Sequence, residues 1–188
     1  LEDRVVTIAR VQASLQYPAS FVLAAAMNPC VCGYYGDTMR RCTCSETMVR
    51  KYQQRISGPL LDRIDLHIEV RRLSEDELVH HHRSESSAAI RHRVCAARQR
   101  QSERLQGRKI HCNAEMGARD LREMCPTGDG VRDLLRHAIQ QLSLSARAYD
   151  RILKVARTIA DLSECDDIGA EHVAEAIQYR TLDRKMLV

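Results

Sequence analysis

The 188-residue chain has no Gly-x-x-x-x-Gly-Lys-Ser/Thr run anywhere. That motif cradles nucleotide phosphates with backbone amides and a lysine, so these residues alone lack the means to hold a β- and a γ-phosphate. No apolar run is long enough to span a bilayer, and the first residues do not read as a secretory signal. There is no initiator Met. The chain opens inside what reads as an element, Leu1-Glu2-Asp3-Arg4-Val5-Val6, and is expected to be the C-terminal part of a longer protein. A strong excess of one charge is also missing: the net charge is +4, which does not by itself point to nucleic acid. Basic residues do gather at Arg91, Arg93, Arg98, Arg100, Arg104, Arg108 and Lys109, a pattern that a solvated helix face explains.

What is present is globular. Apolar residues make up 44% and charged residues 29%, and the length suits one or two small domains with a real core. Eight cysteines without secretory context point to a reducing, cytoplasmic setting, with thiols or metal in place of disulfides.

Residues 4–18 alternate in character and predict two short strands with a turn near Arg10-Val11-Gln12. Phe21–Met27 is continuously apolar and predicts a central strand. Glu46–Ile56 reads as a short helix capped by Ser45, with Met48, Val49, Tyr52 and Ile56 as its apolar positions, and Leu66–Val70 reads as the next strand. A polar linker covers 74–87, and its His80-His81-His82 run cannot converge on one ion from a helix. The rest is helical. One helix follows Ser86/Ser87 with Ile90, Val94, Ala97 and Leu105 inward, and a short one spans Asn113–Met124. Three more carry apolar stripes at Val131–Leu142, after Ser145, and after Gly169.

Four cysteines form two pairs, Cys30-x-Cys32 and Cys42-x-Cys44, around nine residues that include Gly33, Gly36 and Asp37. Paired thiols closing such a loop at about 30–44 fit a tetrahedral four-cysteine site for a structural Zn²⁺, although C-x-C is tighter than the usual C-x2-C. Four free thiols in an exposed loop is the other reading. Cys95, Cys112, Cys125 and Cys165 show no pair spacing, and Cys95 and Cys125 read as bystanders.

Asn28 ends the first apolar run, and Pro29 holds it extended. A polar amide at the carboxyl end of a buried strand lies where open α/β sheets bind ligands, and it can both donate and accept. Arg63 sits in Gly58-Pro59-Leu60-Leu61-Asp62-Arg63-Ile64-Asp65, a turn from which a guanidinium can project, unless it pairs internally with Asp62 or Asp65. Ser145 as a cap would place Arg147 in the first turn of a helix, where a cation is unfavourable unless an anion such as phosphate is near. Arg151 and Arg157 share that helix and are the rival candidates.

These segments together resemble the magnesium-chelatase-like AAA+ ATPases, in particular the ComM/YifB family, over nearly the whole chain. The resemblance implies the C-terminal half of an α/β core over residues 1–73, with a pre-sensor hairpin, a sensor-1 strand and a finger strand, then the linker and a helical lid over 88–188. It implies that Asn28 is sensor 1, Arg63 the arginine finger, Arg147 sensor 2 in cis or in trans, and Arg10 a DNA contact at the hairpin, against the alternative of an ordinary surface Arg. For the whole protein it implies ATP and Mg²⁺ as cofactors, a hexameric ring, and DNA branch migration or a helicase-type activity in natural transformation or recombination. The chain alone is not expected to hydrolyse ATP. Two rivals remain: a metal-chelatase motor subunit acting on a protein partner, and a non-catalytic, zinc-stapled binding module.

Overall fold

The computed structural model describes residues 4–10, 13–79, 84–142 and 144–180. The chain divides into two compact units, one up to Arg63 and one from Ile64 onward.

The first unit opens with the expected hairpin. Strands β1 (Val5–Arg10) and β2 (Ala13–Pro18) pair antiparallel, Val5 opposite Pro18 and Arg10 opposite Ala13. Residues 11 and 12, where the turn was expected, lie outside the described residues. Phe21–Met27, expected to be a central strand, has no strand pairing, and Phe21, Val22 and Leu23 are exposed. A strand exists only through hydrogen bonds to a neighbour. Among the described residues none pairs with this run, so its apolar pattern has no sheet to join. The same correction applies to Leu66–Val70, where Ile68 and Val70 are exposed.

Helix α1 (Glu46–Gln53) starts where expected: the Ser45 hydroxyl accepts from the Met48 amide at 3.3 Å. It ends three residues earlier than the apolar pattern suggested, buries Val49 and leaves Met48 exposed. The Pro-Leu-Leu turn is a single helical turn, α2 (Gly58–Leu61), started by Pro59 at a position where its missing N–H costs nothing.

The second unit holds α3 (Glu75–Val79), which lies in the stretch read as a linker. Ser74 and Glu77 cap it reciprocally, the Ser74 amide and hydroxyl donating to Glu77 Oε2 at 2.8 and 3.0 Å. The His run, residues 80–82, lies outside the described residues. Then come α4 (Ser87–Arg104), α5 (Ala118–Met124), α6 (Asp129–Leu142), α7 (Ala146–Leu162) and α8 (Ala170–Gln178). The helix expected over Asn113–Met124 is split: a 3-10 turn covers Asn113–Glu115, and α5 starts after Gly117. On α4, Ala97, Gln101 and Leu105 face the core, but Ile90 and Val94 are exposed. Periodicity tells which side of a helix is apolar, not whether another element covers it.

Helix α7 is the centre of this unit and packs against α8, α4, α5 and the 3-10 turn. Ala148, Ile152, Ala156 and Ala160, four residues apart, form its fully buried stripe, and the small side chains let neighbouring helices approach closely. Leu105, Met116, Leu121, Leu135, Leu153, Ile168 and Val173 complete the core.

A polar knot sits beside that apolar stripe. Asp161 is fully buried and is gripped from three sides. Arg104 donates to both of its carboxylate oxygens, Asn113 Nδ2 donates at 2.8 Å, and Arg157 Nη2 lies 3.2 Å away. Arg157 is itself buried and donates to the carbonyls of Cys165 (2.6 Å) and Asp166 (2.5 Å), which ties down the loop into α8. Burial pulls the Arg157 guanidinium below its ordinary pKa, and the Asp161 charge opposes that pull.

Residues 64–67 strap across the same unit. Arg180, buried just beyond α8, donates to the Ile64 carbonyl. The His67 amide donates to the Tyr179 carbonyl at 2.8 Å, and Arg151 on α7 forms an ion pair with Asp65.

Removing one partner of a buried ion pair strands the others, at a cost of about 3–5 kcal/mol. Asp161→Ala should therefore lower stability by about that amount, read as a fall in the urea midpoint. Asp166→Ala, which breaks the Arg100 pair at a carboxylate 92% exposed, should cost less than about 1 kcal/mol. Equal midpoints for the two variants would remove the knot from its structural role.

Candidate functional site

The structure brings the four predicted cysteines together. Cys30 Sγ lies 3.3 Å from Cys32 Sγ and 3.7 Å from Cys42 Sγ, and Cys32 lies 3.5 Å from Cys42. With Cys44 included, all four sulfurs fall within 4.8 Å of one another. A tetrahedral zinc site with Zn–S near 2.3 Å has sulfur–sulfur edges of about 3.8 Å, so the donor set fits a zinc ion held by four thiolates.

The backbone explains how so short a loop closes. Gly33 donates to the Cys30 carbonyl at 3.1 Å, and Asp37 donates to the Tyr34 carbonyl at 3.2 Å. Gly33 and Gly36 have φ of +83° and +81°, a left-handed conformation that side chains disfavour. Asp37 Oδ1 then accepts from the Met39 and Arg40 amides at 2.7 and 3.0 Å, which turns the chain back towards Cys42. Ser45, next to Cys44, caps α1, and Gln53 on α1 donates to the Pro29 carbonyl at 3.1 Å. The two ends of the loop are thus held by one helix.

The electrostatics favour a thiolate at one member. Backbone amides of Tyr34 and Thr43 draw Cys32 down to about 5. At Cys42 the Cys44 amide, 3.4 Å from its sulfur, acts in the same downward sense, but burial and the neighbouring thiols prevail and push Cys42 up to about 12. Burial and the thiols of Cys32 and Cys30 likewise raise Cys44, against the Cys32 backbone contact. Binding a metal requires each of these thiols to give up its proton. Elsewhere, burial holds Cys125 at about 11 inside the helical core, and Cys95 is exposed.

The other predicted residues fall as follows. Asn28 is exposed in the irregular segment two residues before Cys30. Arg63 is half-buried, directly after the Asp62 cap of α2, and its Nη1 donates to the Pro59 carbonyl at 2.8 Å, which holds the side chain against its own turn. Asp65, weighed as an internal partner for Arg63, pairs with Arg151. Arg147 is exposed in the first turn of α7, and Ser145 caps that helix by accepting from the Ala148 amide at 3.1 Å. The rival arginines on α7 are engaged within the helical unit: Arg151 with Asp65, and Arg157 with Asp161. Arg10 is exposed at the end of β1. Sequence reasoning passed over Asp161 and Arg180. The signal for the first was an Arg and an Asp four residues apart within an apolar stripe, at Arg157 and Asp161. No helix among the described residues is long and apolar enough to cross a membrane.

Two family profiles cover the chain in series. Residues 1–78 match the magnesium chelatase subunit ChlI, and residues 84–180 match its C-terminal region. YifB of Salmonella typhimurium is 39% identical over 189 residues, covering 100% of this chain and 36% of that protein. YifB of Escherichia coli is 38% identical over 192 residues, covering 100% and 36%. The competence protein ComM of Haemophilus influenzae is 42% identical over 185 residues, covering 98% and 35%. The chain therefore spans little more than a third of the length of the curated relatives it matches. With the profiles accounting for both units and these relatives aligning along the whole chain, it belongs to the magnesium-chelatase-like family of ComM and YifB.

Proposed function

We propose that these residues are the sensing and triggering part of an ATP-driven AAA+ motor that acts on DNA. The observation that carries this reading is the serial match of both units to the ChlI profiles, together with 42% identity to a competence protein. In this reading Asn28 orients the attacking water, Arg63 reaches the γ-phosphate held by a neighbouring subunit of a hexameric ring, and Arg147 contacts nucleotide phosphate from the first turn of α7. A planar guanidinium suits the Arg63 role because it meets two phosphoryl oxygens at once. The exposure of Arg147 on a capped helix start, where the macrodipole is positive, suits a phosphate partner. Arg10 on the hairpin contacts the translocated DNA. The 188 residues hold no phosphate loop, so phosphate and Mg²⁺ binding are not assigned to them.

The cysteine cluster holds a structural Zn²⁺ with all four positions closed by thiolates, which leaves no open position for chemistry. Its role is to staple a loop that buries little apolar surface of its own.

A second reading follows from the profile description itself: a motor that drives a chelatase partner in place of DNA. The two are separated by ATP turnover of the whole protein with and without branched DNA. Stimulation by DNA favours the first, and indifference to DNA favours the second.

Arg63→Ala in the whole protein should leave ATP affinity near that of the parent and lower turnover by about three orders of magnitude or more, on the scale of arginine fingers. A pre-steady-state assay of one turnover would show whether the lost step is chemistry, and unchanged turnover would return Arg63 to a purely structural part in its turn. For the metal, protein purified without added zinc should carry one Zn²⁺ per chain, and Cys42→Ser should lose it. Metal-free protein whose loop resists protease as well as the metal-bound form would count against the staple.

A further inference from the structure

The loop between the two cysteine pairs carries side chains that metal binding does not use. The chain has six Tyr and one Phe, and three of these seven aromatics, Tyr34, Tyr35 and Tyr52, lie on the loop or on α1 just after it. Two of them are stacked with arginines: the Arg40 guanidinium is 4.2 Å from the centroid of Tyr34, and that of Arg55 is 5.7 Å from Tyr52. Arg40 Nη1 also donates to the Tyr34 hydroxyl at 2.8 Å, so this guanidinium is held on the loop and still exposed. Arg41 is exposed beside it, and Tyr35 is 50% exposed. The one acid of the loop, Asp37, turns an oxygen onto the Met39 and Arg40 amides.

We propose that this loop is a contact for single-stranded DNA, with Tyr35 stacking on a base and Arg40 and Arg41 meeting phosphates. The partner follows from the chemistry. A single strand offers flat π faces and a regular row of anions together, and an aromatic–arginine surface binds both. An acidic peptide would satisfy the arginines and leave the exposed Tyr35 ring without a stacking face. A duplex hides its base faces within the stack. The loop backbone is fixed by two glycine turns and by its cysteines, so little conformational freedom is lost on binding. The inference rests on the DNA reading above and adds to it a contact separate from the Arg10 hairpin.

The test measures binding of fluorescent oligothymidylate to the whole protein across a salt series, with zinc content recorded for each variant. Tyr35→Ala should weaken binding by about tenfold, as loss of one stacked base does. On a strand with abasic sites the same substitution should change binding little. Tyr35→Phe, which keeps the stacking face, should bind like the parent. Arg41→Gln should flatten the dependence of log K on log salt by about 0.7, the value for one phosphate contact on a single strand. If Tyr35→Ala loses zinc, the Tyr35→Phe and Arg41→Gln results decide. Arg41→Gln with the parental salt slope, or Tyr35→Ala retaining zinc and parental affinity, overturns the loop contact. Should Arg10→Ala weaken binding at the same time, the DNA reading itself survives. A parent protein that binds no oligothymidylate overturns the loop contact, while the DNA reading stands or falls on turnover with branched DNA.

Discussion

The helical unit depends on one buried carboxylate. Asp161 has no exposed surface, and an unpaired charge there would be costly. It is tolerated because Arg104 at the end of α4, Asn113 in the 3-10 turn and Arg157 one turn earlier on α7 all direct donors at it. Those donors come from three separate stretches of chain. Satisfying the charge therefore also fixes where α4 ends, where the 3-10 turn lies and how the loop into α8 leaves α7. The apolar stripe of α7 provides the driving force for packing, but alanines along that stripe leave latitude in register. The knot removes that latitude, because a shift of one residue would unpair a buried ion.

The first unit solves the same problem by another route. Only Cys30, Val49 and Leu61 among its described apolar residues are buried, too few for a core that could hold a loop of this length. The polar devices are correspondingly local: two glycine turns, an Asx turn at Asp37 and a serine cap that follows the last cysteine without a gap. Each fixes one corner, and the sulfurs meet as a consequence.

The helices were legible in the sequence to the extent that their signals are local. Ser45, Ser86 and Ser145 each cap the helix that follows, and the stripes of α6, α7 and α8 face the core as their spacing implies. The cysteine cluster was legible from paired spacing alone. The strands beyond the hairpin were not, because the apolar runs at 21–27 and 66–70 state a preference for a sheet without stating what they pair with. The outward half of α4 failed for the same reason. The polar knot was hidden because its members are separated by up to 57 residues, and no local pattern links Arg104 to Asp161. The roles proposed for Asn28, Arg63 and Arg147 rest on family likeness, since a polar side chain at a turn or a helix start carries no local signature of function.

The strap of residues 64–67 sets a mechanical boundary condition on the chain. Ile64 is held by Arg180, Asp65 by Arg151 and His67 by Tyr179, so three of four consecutive residues are anchored to α7 and to the end of α8. Arg63 is the next residue upstream, one peptide or about 3.8 Å away along the backbone. A rotation of α7 carries Asp65 through Arg151, and the same helix bears Arg147 one turn earlier. The ion pair therefore ties the start of the helical unit to the helix at its centre.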